Sequence, residues 1–133
     1  MIRHFIISLL VTLTLTAQAQ DKLSLDSIDF NKEGANIQSI KLFSDSNSTS
    51  FVIFVKDQVK AHYHENHTET IVVLEGKAEM QLNNNYLEIN VGDILTIEPQ
   101  NIHSVKVTSE IPLKVLSIQA PEFKGRDRHF EKE

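Results

Sequence analysis

His62 and His64 stand one residue apart, Glu69 follows soon after, and His103 lies far downstream. Alternate residues of a strand point the same way, so His62 and His64 share one face and Tyr63 takes the other. Three neutral imidazole nitrogens and one carboxylate oxygen suit a divalent transition metal: zinc, iron, manganese, nickel or copper. The chain has no Cys, which removes thiolate metal sites, disulfides and a Cys nucleophile. Taken singly, each residue has an ordinary reading. His62 and His64 read as loop histidines beside Glu65, Asn66 and His67, Glu69 as a solvated strand start, and His103 as a satisfied core histidine. His67 reads as an outward loop residue and His129 as a solvated member of a charged tail. The run His64-Glu65-Asn66-His67 lacks the His-Glu-x-x-His spacing of zinc proteases.

The set works only where distant strands close on one another, and the surrounding sequence supplies strands. Phe51–Val55 is a continuous apolar run of β-formers, and Ile37–Phe43 is a further candidate. From residue 62 onward, strands recur roughly every ten residues with turn signals between them, the pattern of a sandwich or barrel. Ala78, Met80 and Leu82 alternate with Lys77, Glu79 and Gln81, and His103, Val105 and Val107 alternate with Ser104, Lys106 and Thr108. Alternation makes Ile71, Val73, Ala78, Met80, Val105 and Val107 the inward, apolar neighbours of the site, with Met80 as core filling. No general acid or base is evident; Tyr63 and Glu98 are the candidates if the local strand twists. No 3.6-residue period persists after residue 20, so almost no helix is expected.

Two stretches make a resemblance specific. His62-x-His64-x4-Glu69-x6-Gly76 resembles the first motif of the cupin superfamily, and Gly92-Asp93-x4-Glu98-Pro99-Gln100-x2-His103 resembles the second. The short spacer between them is that of small single-domain cupins. The resemblance spans about Phe51 to Ile118 and implies an all-β fold, the cupin double-stranded β-helix, a jelly-roll-like antiparallel barrel. It implies a metal inside that barrel held by His62, His64, Glu69 and His103. It also makes a homodimer plausible, with an exposed edge such as Phe51–Val55 covered by a partner. The sequence departs from the pattern at Lys56, at Gln100 in place of Gly, at Glu98 with Pro99 one residue late, and at Val107. These departures bear on the turn before His103.

The whole sequence has 133 residues, with 13 Lys plus Arg against 18 Asp plus Glu and a net charge of −5. That is one domain's length, and no basic cluster suggests nucleic acid as a partner. Met1–His4 is a short basic start, Phe5–Leu15 is largely apolar, and Ala17-Gln18-Ala19 offers small residues where a signal peptidase cuts. The apolar segment is about half the ~20 residues a membrane-spanning helix needs, so no integral span is expected. The reading is a signal peptide over 1–19, an irregular segment over 20–36, the barrel over 37–120 and a charged tail over 121–133. The protein is then expected to be exported, periplasmic or secreted. The expected activity is that of a metal-dependent oxygenase, isomerase or lyase on a small acidic or sugar-derived ligand; the alternative is a non-catalytic binder of such a small molecule.

Overall fold

A computed structural model describes residues 22–31 and 33–130. The expected signal segment, residues 1–19, lies outside the described residues. Ten strands follow one another: β1 (Ile37–Ser44), β2 (Thr49–Val55), β3 (Gln58–Tyr63), β4 (Thr68–Glu75), β5 (Ala78–Leu82), β6 (Asn85–Ile89), β7 (Ile94–Ile97), β8 (His103–Val107), β9 (Leu113–Ala120) and β10 (His129–Phe130). The one helical turn among the described residues is Leu25–Ser27. No helix among them is long and apolar enough to cross a membrane.

The strands form two five-stranded antiparallel sheets, ordered β1-β2-β9-β4-β7 and β10-β3-β8-β5-β6. Apart from the β1–β2 and β5–β6 hairpins, neighbours in each sheet are distant in sequence, and the pairing of β3 with β8 brings His62 opposite His103. The apolar core is drawn from both sheets: Val73, Ala78, Met80, Ile97 and Leu113 are nearly or wholly removed from solvent. Met80 fills core, as its alternation indicates.

The run Phe51–Val55 carries no polar alternation because both of its faces are covered. Phe51, Ile53 and Val55 face an interior cavity, while Val52 and Phe54 are buried on the other side. Phe30, from the irregular segment, packs its ring 5.9 Å from that of Phe54. This strand is not the exposed edge that the sequence suggested. It pairs with β1 on one side and β9 on the other, so it has no free edge to offer a second copy.

One register irregularity shapes the site. Along β3 and β8, Val59 pairs with Val105 and His62 with His103. Three steps on β3 therefore match two on β8, which is a β-bulge. Without it, Val59 and His62 would point to opposite faces. With it, both line the cavity beside Val105 and His103.

The turn between β4 and β5 depends on Gly76, whose φ is +78°. A Cβ placed there would lie 2.7 Å from the carbonyl oxygen of Pro112. Gly76→Ala is expected to cost about 2–4 kcal/mol, combining left-handed backbone with a clash against fixed backbone. Gly34 has a similar φ of +74° but open space around it, so Gly34→Ala should cost about 1 kcal/mol. Urea denaturation of both variants checks the difference; equal costs would mean that the contact at Pro112 relaxes freely.

Candidate metal centre

His62, His64, Glu69 and His103 come together, and each is at most 5% exposed. Ligating atoms of the three histidines all lie within 4.8 Å of one another. Glu69 Oε2 stands 3.4 Å from both His64 Nε2 and His103 Nε2. An ion with bonds of about 2.1 Å holds neighbouring donors about 3.0–3.4 Å apart, so these gaps are of the size a shared ion spans.

Backbone oxygens orient each ring. His62 Nδ1 bonds to the Lys60 carbonyl at 2.8 Å and His103 Nδ1 to the Asn101 carbonyl at 3.0 Å. His64 Nδ1 bonds to the carbonyl of Asp127. A carbonyl only accepts, so each Nδ1 carries the proton and each Nε2 keeps its lone pair. The Nε2 atoms of His64 and His103 are buried with no hydrogen-bond partner. Buried, unpaired nitrogen lone pairs are costly unless something cationic meets them. The donor set therefore fits a divalent ion.

The carboxylate is held as firmly. Glu69 Oε1 accepts from the Ser117 hydroxyl and, at 3.3 Å, from Gln119 Nε2. Ser117 and Gln119 sit on the neighbouring β9, in register with Ile71 and Glu69. Burial pushes the Glu69 pKa up, but the adjacent His103 and His64 rings and the Ser117 hydroxyl outweigh it and hold the carboxyl well below its usual range. For His64, burial lowers the pKa while Glu69 and the Asp127 carbonyl raise it further, with a net rise. The field between His64 Nε2 and Glu69 Oε2 thus favours positive charge, whether a proton or a metal ion. For His62, burial, with His103 and Arg128 nearby, lowers the pKa to about 3, so its ring is neutral at physiological pH and free to ligate.

A cavity of about 160 Å³ opens from this group. Its walls are apolar, among them Ile37, Phe51, Ile53, Ile71 and Val105. Of the inward residues expected from alternation, Ile71 and Val105 line it, Val73, Ala78 and Met80 lie in the core, and Val107 packs against that core. Tyr63 and Glu98 are not among the cavity residues; Tyr63 stacks on His129 at 5.2 Å and Glu98 is exposed. The turn before His103 forms despite its departures from the motif. Gln100 takes the left-handed conformation, φ +68°, and its N–H donates to the His64 carbonyl at 2.6 Å.

The C-terminal segment corrects two expectations. It is not a free surface tail, and His67 is not an outward residue. Asp127 is 7% and His67 6% exposed. The Asp127 carboxylate accepts from the backbone N–H groups of Glu65 and Asn66 at 2.7 and 2.8 Å, and it bonds to His67 Nδ1. His67 Nε2 lies 3.0 Å from the Glu122 carbonyl. β10 then pairs with β3, placing Phe130 opposite His62. Phe123 and Arg128 of this strap line the cavity. His129 is half-buried and bonded to Asp127 at 3.2 Å.

Residues 51–119, over half of the chain, match the Cupin domain family. The chain is a cupin. It is 34% identical over 98 residues to an uncharacterized protein of Aquifex aeolicus, covering 72% of this chain and 80% of that one. It is 34% identical over 65 residues to the quercetin 2,3-dioxygenase of Bacillus subtilis, covering 49% of this chain but 19% of that protein. Among solved structures, a double-stranded β-helix protein of Klebsiella pneumoniae superposes with a TM-score of 0.72 at 19% identity, over 86% of this cupin and 100% of that chain. KdgF of Halomonas gives 0.65 at 18% identity, over 75% and 92%. These structures share the cupin fold. The strap that closes the cavity lies beyond residue 119, outside the family match.

Proposed function

We propose that this cupin binds one divalent transition metal through His62, His64, Glu69 and His103, and that it is a metal-dependent oxygenase of a small, enolisable organic molecule. The observation that carries this reading is the pair of buried, unpartnered Nε2 atoms facing Glu69 at the end of an apolar cavity. A divalent ion there supplies open coordination positions that polarise an enol, phenol or carbonyl oxygen and, if redox-active, access to dioxygen chemistry.

The chain's own residues favour chemistry centred on such an ion. Among the described residues lining the cavity, the titratable ones are the four proposed ligands and Arg128. None is a spare carboxylate or Lys placed to shuttle protons, as an isomerase or lyase would want. The apolar walls exclude water and hold a small ligand by shape. Gln119 Oε1 is buried without a partner beside Glu69 and is left to accept an O–H of the ligand. Similarity to a quercetin dioxygenase across 49% of the chain supports oxygenation. The lack of a proton shuttle also suits the second reading, a binder without turnover. Export after removal of residues 1–19 remains part of the proposal and rests on the sequence pattern.

Residues 20–133, loaded separately with iron, manganese, nickel and copper, should be offered small keto acids, phenolics and uronates while oxygen is followed. Oxygen consumption on at least one class, abolished by His103→Ala, is expected. Saturable binding without turnover across the panel would replace the oxygenase with the binder.

A further inference from the structure

Among the described residues lining the cavity, Arg128 alone carries a permanent positive charge, and no carboxylate pairs with it. Arg128 lines it together with His62 and Glu69. Among the described residues, no carboxylate lies within salt-bridge distance of its guanidinium, whereas the chain's other close ion pairs include Lys77–Glu88 and Lys114–Glu75. Its recorded partner is the face of Phe130, 5.4 Å from the ring centroid. Glu69 and His62 sense its charge without touching it.

Arg128 is exposed at the rim of this apolar cavity, so its planar fork of donors is open to a ligand that enters. Its position is not left to chance. Asp127, the preceding residue, is tied to Glu65, Asn66, His67 and His64, and Phe130 is paired into the sheet against His62. The backbone on both sides of Arg128 is therefore fixed.

We infer that Arg128 is the ligand's carboxylate anchor, so that the substrate class is a small acid whose carboxylate lies away from the metal-binding group. This deepens the proposed function and shares its ligand assignment. Around the ligand, a divalent ion, one carboxylate and one guanidinium leave a net charge of +2, which selects an anion over its neutral isostere. The guanidinium receives the carboxylate through paired N–H donors, a match an ammonium does not reproduce.

The test separates binding from turnover by using the zinc-loaded chain, which performs no oxygen chemistry. Calorimetric titrations would compare 2-oxoglutarate, whose keto-acid end can reach the metal, with its 5-methyl ester, which lacks the distal carboxylate. The diacid should bind about 10- to 100-fold more tightly. Arg128→Gln should remove that preference and leave ester binding and zinc content unchanged, while Arg128→Lys should recover part of it. The inference is overturned if Arg128→Gln binds the diacid as wild type does, if it weakens both probes equally, or if wild type binds neither. Failure of oxygen consumption alone, with an Arg128-dependent preference intact, would remove the oxygenase and leave the anchor standing.

Discussion

His64→Ala and His103→Ala should each lower the affinity for a divalent transition ion by at least ~100-fold, against one ion per chain in the unaltered protein. Both residues present a buried Nε2 with no partner, aimed beside Glu69 Oε2. Loss of a group that merely orients a ligand costs 10- to 100-fold, so loss of a ligand itself should cost no less. Glu69→Gln should follow them, because it keeps the shape but removes the charge that offsets the ion. Tyr63→Phe, which alters a side chain stacked on His129 outside the cavity, should leave metal content intact. Elemental analysis after chelator-free, metal-supplemented preparation gives the stoichiometry. Thermal or urea unfolding gives a second readout: an ion at about 1,000 times its Kd stabilises the folded chain by about 4 kcal/mol, and the variants should forfeit that gain. An unaltered protein that takes up no ion would overturn the ligand assignment, and with it the oxygenase.

Alternation places His62 and His64 on one face, and the resemblance of two stretches to the cupin motifs adds Glu69 and His103; the structure brings these four residues together. The alternation around Met80 and Val105 likewise separated inside from outside correctly. Three features were not legible. The bulge after Val59 is a register shift between two strands, and no residue type announces it. The start of β3 is carried by Gln58-Val59-Lys60-Ala61, an alternation too short and too weakly apolar to separate it from a loop. The strap is hidden for a different reason. Its sequence is charged and lacks a period, and charged residues are ordinarily solvated. Asp127 is buried because backbone N–H groups and a histidine satisfy it, and such partners leave no trace in a hydrophobic pattern. His67 gives an outward reading for the same reason: its partner lies 60 residues away in sequence.

Asp127→Ala should destabilise the protein by about 3 kcal/mol and loosen residues 121–130. The substitution leaves the N–H groups of Glu65 and Asn66, two exposed residues, and Nδ1 of the buried His67 without their acceptor. Each unsatisfied group costs about 1–3 kcal/mol, and local relaxation recovers part of the total. Asp127→Asn should cost less, because one oxygen survives to accept from one side of the cluster. The consequence for the site runs through His64, whose Nδ1 bonds to the Asp127 carbonyl. That carbonyl survives the substitution, but the segment that aims it does not stay pinned. Metal affinity should therefore fall about 10-fold, well short of the loss from His64→Ala. His67→Ala removes the same clasp from the other side and should reproduce both effects in milder form. Urea denaturation, metal titration and the rate of proteolytic cleavage within 121–130 measure the three parts of this expectation. Wild-type stability in Asp127→Ala would mean that the strap does not secure the site. Destabilisation with unchanged metal affinity would mean that His64 is oriented without it.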